Sequence, residues 1–158
     1  MLAVVIRLGI LAVVSLAVLL SVWAGKTYVG RSRRRALNSA PIVLPQAPSA
    51  DADAPRSSVS ILAFSSADCR QCKQLQEPAL QRVLQARSGS VAVVEVDAPS
   101  SPDLTEHYSV LTLPTTVVLD ASGKARAVNY GFAPAQRLLE QVDALLQNSG
   151  AQEPQPAL

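Results

Sequence analysis

The residues of this chain best suited to chemistry are its only two cysteines, which stand in the motif Cys69-Arg70-Gln71-Cys72. An apolar run, Val59 to Phe64, precedes the motif, and a segment with helical periodicity, Lys73 to Ala86, follows it. A strand that delivers a C-x-x-C pair to the first turn of a helix is typical of sites for thiol–disulfide exchange. On a helix the two sulfurs lie one turn apart and can join without large backbone movement.

The two cysteines have different expected roles. Helix-terminal N–H groups and the helix macrodipole favour the thiolate at Cys69, so we predict that Cys69 is the nucleophile and Cys72 the resolving cysteine. Arg70 favours the Cys69 thiolate by Coulomb attraction, whereas Asp68 opposes it. The net effect of Arg70 and Asp68 on the pKa of Cys69 does not follow from the sequence, and neither does the choice between reductant and oxidant.

Two other uses of the cysteines stay open. They could be small buried apolar residues, or they could carry zinc or copper. A structural zinc site usually needs four ligands, and this chain offers one cysteine pair and a single histidine, His107. The chain also lacks a phosphate-binding glycine loop. We therefore expect no metal and no organic cofactor.

The N-terminal residues form a continuous apolar stretch, Leu8 to Gly25, that is extended by Leu2 to Ile6. This length suits a bilayer span, and Trp23 and Tyr28 suit the interfacial aromatic belt. We predict a transmembrane anchor at residues 1–25, with a cleavable signal peptide as the rival interpretation.

Basic residues follow this stretch at Lys26, Arg31 and 33–35, whereas only Arg7 and the amino terminus precede it. The positive-inside rule therefore predicts a single-pass protein whose C-terminal domain faces the cytoplasm, with an extracytoplasmic domain as the alternative. Residues 26–56 are interpreted as a basic juxtamembrane segment followed by a Pro/Ala-rich linker, and residues 149–158 as a flexible tail.

The predicted domain, residues 57–148, holds seven Lys/Arg against nine Asp/Glu and is therefore slightly acidic. This charge argues against nucleic-acid binding. The expected partners are the membrane and a protein thiol or disulfide, and we expect a monomer. Apolar periodicities predict the order βαβαββα, that is, an α/β domain with a central mixed sheet and helices on both faces.

This order resembles the thioredoxin fold, and several landmarks carry the resemblance. They are the C-x-x-C motif, the segment His107-Tyr108-Ser109-Val110, the loop Leu113-Pro114-Thr115 just before a strand, Gly123 in a hairpin and Gly131 after the last strand. The resemblance implies a thiol–disulfide oxidoreductase that acts in cell redox homeostasis. It further implies that Pro114 is cis and lies beside Cys69, and that Leu113 and Thr115 line the edge that docks a partner.

The sequence also departs from the family pattern. Asp68 replaces a tryptophan, Arg70-Gln71 replaces Gly-Pro, and Pro78 lies one residue farther from Cys72 than is usual, where we expect it to kink the helix. The buried acid that serves proton transfer falls at Ala63, and its accompanying lysine falls near Val93. These changes leave open a binding module or redox sensor for a membrane partner. Glu95, expected to face solvent, is the nearest acid that could partly serve as a proton relay.

Overall fold

The computed structural model describes residues 2–41 and 58–150, and the chain divides into two units between Arg34 and Arg35. Within these residues the elements follow in order: α1 (Leu2–Leu37), β1 (Val59–Ser65), a π-helical turn (Cys72–Gln76), α2 (Glu77–Ala86), β2 (Val91–Asp97), α3 (Pro102–His107), β3 (Thr115–Asp120), β4 (Ala125–Tyr130) and α4 (Ala135–Gly150). Most of the predicted linker and the predicted tail after Gly150 lie outside the described residues.

Helix α1 is apolar on all sides over most of its length, and its large side chains, among them Leu11, Leu19 and Trp23, are exposed. Its segment Gly9–Leu37 is long and apolar enough to cross a membrane, a criterion that an N-terminal signal sequence also meets. The helix continues through the basic residues that follow the apolar stretch, because Lys and Arg are good helix formers and no proline occurs before Pro41.

The four strands form one mixed sheet in the order β2-β1-β3-β4. Strand β1 pairs in parallel with β2 and antiparallel with β3, which in turn pairs antiparallel with β4. The predicted fold class is therefore confirmed: a mixed central sheet with a parallel βαβ unit followed by a hairpin.

Alternate residues of β1 face two different apolar clusters, because successive side chains of a strand point to opposite faces. Val59, Ile61 and Ala63 lie in the cluster that also contains residues of α2 and α4. Leu62 and Phe64 lie in the other cluster, where Phe64 meets the ring of Tyr108 edge-on at 6.1 Å between centroids. The sheet thus holds β1 firmly at its centre, and β1 leads directly to the cysteines.

The helix after the cysteines contains a wide turn just before Pro78. The N–H of Glu77 donates to the carbonyl of Cys72, five residues earlier, which closes one wide turn. Pro78 follows this turn within a helical segment that runs without a break from Arg70 to Ala86. The extra residue between Cys72 and Pro78 is accommodated in the wide turn, and the kink at Pro78 stays a prediction.

The hairpin between β3 and β4 is organised by the carboxylate of Asp120. Its Oδ1 accepts hydrogen bonds from the backbone N–H groups of Ser122 and Lys124, and its Oδ2 accepts one from Arg126. Partial burial acts to raise the pKa of Asp120, but these bonds and one from the Ser122 hydroxyl outweigh it and lower the pKa to about 2. Gly123, at φ +78°, completes the turn.

Candidate functional site

Cys69 and Cys72 form a disulfide at the start of the helical segment, with an S–S distance of 2.06 Å and a Cα–Cα distance of 5.3 Å. A short turn after β1 places the pair, because the N–H of Cys69 donates to the carbonyl of Ser66 at 3.1 Å. The next backbone bond, from Lys73 N–H to the Cys69 carbonyl, already belongs to a helical turn. The strand therefore delivers both cysteines to the amino end of a helix.

The two sulfur-bearing residues differ in access. Cys72 is only 7% exposed, whereas Cys69 is half-buried. The backbone N–H of Cys72 also points at Cys69 Sγ, with an N···S distance of 3.2 Å. A hydrogen bond to the charged form of an acid favours that form, so this contact favours a thiolate at Cys69 in the reduced protein.

Asp68 and Arg70 flank the accessible cysteine, and both side chains are exposed. Their opposing influence on the Cys69 thiolate stays a prediction. Solvent weakens both contributions, because charges that meet water interact weakly.

The loop before β3 lies at the same end of the sheet as the cysteines. Thr115 pairs with Phe64, near the end of β1, and the peptide bond that joins Leu113 to Pro114 is cis. Pro114 is buried, and Thr115 is fully buried with its hydroxyl donating to the carbonyl of Thr112. Half-buried Leu113 and the exposed Leu111 and Thr112 are the solvent-accessible part of this loop, and docking of a partner along Leu113 and Thr115 stays a prediction.

Three large apolar side chains are exposed on the segments around this end of the domain. Leu75 lies in the π-helical turn, Leu111 in the loop before Pro114 and Phe132 just after Gly131. Exposed apolar side chains near a reactive centre suit contact with a protein partner. Helical periodicity predicts Leu75 on or near the apolar face shared with Ala79 and Leu80, but the structure leaves its side chain exposed. No sequence pattern singled out Leu111.

A cavity of about 140 Å³ lies against Cys72. Its walls combine the end of β1, the helical segment and one residue of β2, and it is lined by Ala63, Phe64, Ser65, Ser66, Cys72, Lys73, Gln76, Glu77, Leu80 and Glu95. The side chain of Ala63 reaches it, which is the position where the family resemblance places a buried acid. Two carboxylates, Glu77 and Glu95, line the cavity from other elements.

Gln76 is a site residue that sequence reasoning missed. It is 3% exposed, and its amide exchanges two hydrogen bonds with the backbone of Ala133, after β4. The available signal was its spacing, because Gln76 lies three and four positions before the buried Ala79 and Leu80. Its contacts join the π-helical turn behind Cys72 to the segment that presents Phe132.

No group of three or more potential metal-ligating side chains occurs among the residues that the structure describes. The two thiols of the motif are joined to each other rather than free in this state. The arrangement as a whole pairs an accessible sulfur with a shielded one, which is what reversible disulfide exchange requires.

Comparison with known proteins agrees with a site of the disulfide-exchange type. The family model described as Thioredoxin matches residues 51–144, more than half of the chain. The chain therefore belongs to the thioredoxin family, and its Cys69–Cys72 pair supports a function of the thiol–disulfide oxidoreductase type. Curated protein sequences contain no match to this chain.

Several solved thioredoxin structures are similar. Chloroplastic thioredoxin z is 29% identical, with a TM-score of 0.51, over 58% of this chain and 81% of its own. The germline-specific thioredoxin Deadhead of Drosophila melanogaster is 26% identical, with a TM-score of 0.50, over 58% of this chain and 84% of its own. A thioredoxin from Halobacterium salinarum, 21% identical with a TM-score of 0.51 over 58% of this chain and 77% of its own, shares the fold.

Proposed function

We propose that this protein is a membrane-anchored thiol–disulfide oxidoreductase that exchanges disulfides with a protein partner. Cys69 attacks the partner's disulfide, and a mixed disulfide forms while one partner thiol leaves. Cys72 then attacks Cys69 Sγ, so that the Cys69–Cys72 bond forms and the second partner thiol leaves. The partner gains two electrons, and the cysteine pair loses them. The same steps in reverse oxidise a partner dithiol.

The observation that carries this proposal is the asymmetry of the cysteine pair. Cys69 is half-buried and receives the Cys72 N–H, whereas Cys72 is shielded beside the cavity. An outside disulfide therefore meets Cys69 first, and Cys72 is held within one turn to complete the exchange. The cis-proline loop at the same end of the sheet supports a role for Leu113 and its neighbours in docking an extended partner segment.

The membrane part of the proposal rests on α1. Its exposed apolar side chains face every direction, which suits surroundings of lipid rather than water. The basic residues after the apolar stretch support a cytoplasmic domain through the positive-inside rule. In that orientation the partner is a protein at the inner membrane surface, and another thiol protein recycles the cysteine pair.

A trapping experiment tests the exchange reaction. The full-length Cys72→Ser variant, reduced and held in detergent, should attack a disulfide of insulin through Cys69. The mixed disulfide should accumulate and be visible as a shifted band on a non-reducing gel. The Cys69→Ser variant is the matched control and should form no such band, because its remaining thiol is buried. Equal adducts in both variants would contradict the assigned roles, and no adduct in either would reject exchange altogether.

Reporter fusions test membrane topology. Alkaline phosphatase fused after Leu158 should be inactive in cells, whereas a fluorescent reporter at the same place should be bright. The reverse pattern would place the domain outside the cytoplasm. Release of the full-length protein from membranes by alkaline carbonate would contradict an integral anchor, and a shortened mature chain would favour a cleaved signal peptide.

A binding module for a membrane partner is the second candidate, and Ala63 favours it. This small side chain stands where an acid would assist proton transfer to Cys72, so turnover without another proton acceptor should be slow. A binding module should capture its partner equally well with Cys69→Ser, whereas an oxidoreductase should lose its covalent adduct.

A further inference from the structure

The cavity against Cys72 raises the question of how this buried thiol exchanges its proton. Cys72 must be a thiolate to attack Cys69 Sγ, yet it is only 7% exposed. Burial in apolar surroundings disfavours a thiolate, so an unassisted Cys72 would ionise slowly near neutral pH. Ala63, one of the wall residues on β1, has no group that can accept a proton.

Glu95 lies on the neighbouring strand in register with Ala63. Partners of a parallel pair present their side chains on the same face of the sheet. Ala63 belongs to the cluster under α2 and α4, and Val93, two residues before Glu95, packs against that same cluster. The carboxylate of Glu95 therefore rises on the cysteine-bearing face, and Glu95 indeed lines the cavity together with Cys72.

We propose that Glu95 accepts the proton of Cys72 through water held in this cavity, and that it thereby takes over the task that an acid at position 63 would perform. This inference rests on the proposed exchange function. The volume of about 140 Å³ accommodates several waters, since one water needs only ~10–15 Å³ on this measure. Polar partners for such waters are present in Ser65, Ser66 and Gln76, which line the same walls.

The exposure of Glu95 suits a relay. A proton that leaves Cys72 must finally reach bulk water, and Glu95 combines a cavity-lining position with an exposed side chain. In the resolving step the Cys72 proton passes through water to the Glu95 carboxylate. The Cys72 thiolate then attacks Cys69 Sγ, and the partner leaves as a thiolate that takes a proton from solvent. Reduction of the pair by an external dithiol reverses the transfer.

The other charged side chains that line the cavity are Lys73 and Glu77. The Lys73 ammonium donates to the carbonyl of Ala67 at 2.6 Å, which holds the turn before the cysteines. Glu77 lies on the helix, whereas Glu95 pairs in register with Ala63 on the neighbouring strand. Glu77→Gln, which removes the other carboxylate of the cavity wall, is therefore the matched control for Glu95→Gln.

A two-phase reaction isolates the resolving step. The reduced full-length protein in detergent is mixed with one equivalent of 5,5′-dithiobis(2-nitrobenzoate), and the coloured thiolate is followed by stopped flow. Its first release reports attack by Cys69, and its second reports resolution by Cys72. Each variant is measured from pH 6 to pH 10, and Cys72→Ser defines the first phase alone.

We expect Glu95→Gln to slow the second phase about tenfold at pH 7, below the range usual for a directly placed general base because water intervenes. The first phase should not change, and the deficit should shrink at high pH, where Cys72 ionises unaided. Glu95→Asp should recover part of the rate, and Glu77→Gln should match the parent protein.

Three results would overturn the relay. They are an unchanged second phase in Glu95→Gln across the pH range, an equal slowing in Glu77→Gln, and a deficit that does not depend on pH. A global fold defect is recognised separately, because it would also change the first phase and the urea midpoint. Failure of the exchange function itself looks different, since the first phase would then be absent from the parent protein.

Discussion

The side-chain amide of Gln76 and the backbone of Ala133 exchange two hydrogen bonds, although the residues lie 57 positions apart. Gln76 Oε1 accepts the Ala133 N–H at 2.9 Å, and Gln76 Nε2 donates to the Ala133 carbonyl at 3.2 Å. The pair ties the wide helical turn behind Cys72 to the segment after β4. Two sides of the site are thus held together by one buried amide.

Replacement of this amide should destabilise the domain. Gln76→Leu removes both partners of the Ala133 backbone groups, and we expect a loss of about 2 kcal/mol because buried donors and acceptors then lack hydrogen bonds. Pulse proteolysis in urea measures the free energy of unfolding in detergent. The neighbouring exposed Gln74→Leu is the matched control and should change stability by less than ~0.5 kcal/mol. Equal effects of the two substitutions would contradict a structural role of the Gln76–Ala133 bonds.

Acid should weaken the domain through Asp120. Its pKa is lowered to about 2 in the folded protein, below the value of an unfolded chain. The stabilising contribution is therefore complete above about pH 4 and is lost as pH falls toward 2. We expect Asp120 to contribute roughly 1 kcal/mol to the free energy of unfolding. This is less than its full pKa shift implies, because Arg126 is half exposed to solvent.

Urea midpoints between pH 7 and pH 2.5 measure this loss. Asp120→Asn should be less stable than the parent protein at pH 7 and should lose less further stability on acidification. Asp103→Asn, at an exposed position of α3, should show the same dependence of the urea midpoint on pH as the parent protein. If Asp120→Asn also showed the parental pH dependence, other carboxylates would be the cause of the acid sensitivity.

The reduced cysteines should differ in reactivity. Iodoacetamide should modify Cys69 before Cys72, by a factor on the order of tenfold, because Cys69 is more accessible and receives the Cys72 N–H. Peptide mapping by mass spectrometry after short exposures gives both rates. The unfolded protein in urea is the control and should lose the difference. Faster modification of Cys72 in the folded state would reverse the proposed roles.

An acid restored at position 63 should substitute for Glu95. In the Glu95→Gln background, Ala63→Asp should raise the rate of the resolving step, because its carboxylate would stand in the wall of the cavity. It should also cost about 2 kcal/mol of stability, since a carboxyl group is buried. Ala63→Asn controls for size and polarity: it should destabilise similarly without restoring the rate. Equal resolving rates in the Asp and Asn variants would argue against proton transfer through this cavity.

The order of elements could be predicted from the sequence because it depends on local patterns. The apolar run Val59 to Phe64, the β-branched run before Asp97 and the apolar stripe of the last helix each specify their element through periodicity and propensity. With the C-x-x-C motif and the Leu113-Pro114-Thr115 loop, these patterns sufficed for the thioredoxin fold, which the sheet order and the family match confirm.

Only the tertiary structure decided how the site is supported. The wide turn before Pro78 did not follow from the sequence, because a local pattern shows an extra residue but not where the helix absorbs it. The Gln76–Ala133 bonds, and the cavity that Cys72 and Glu95 both line, involve residues far apart in the chain. Such contacts depend on strand register and helix placement, which arise when the whole core packs and which no short segment encodes.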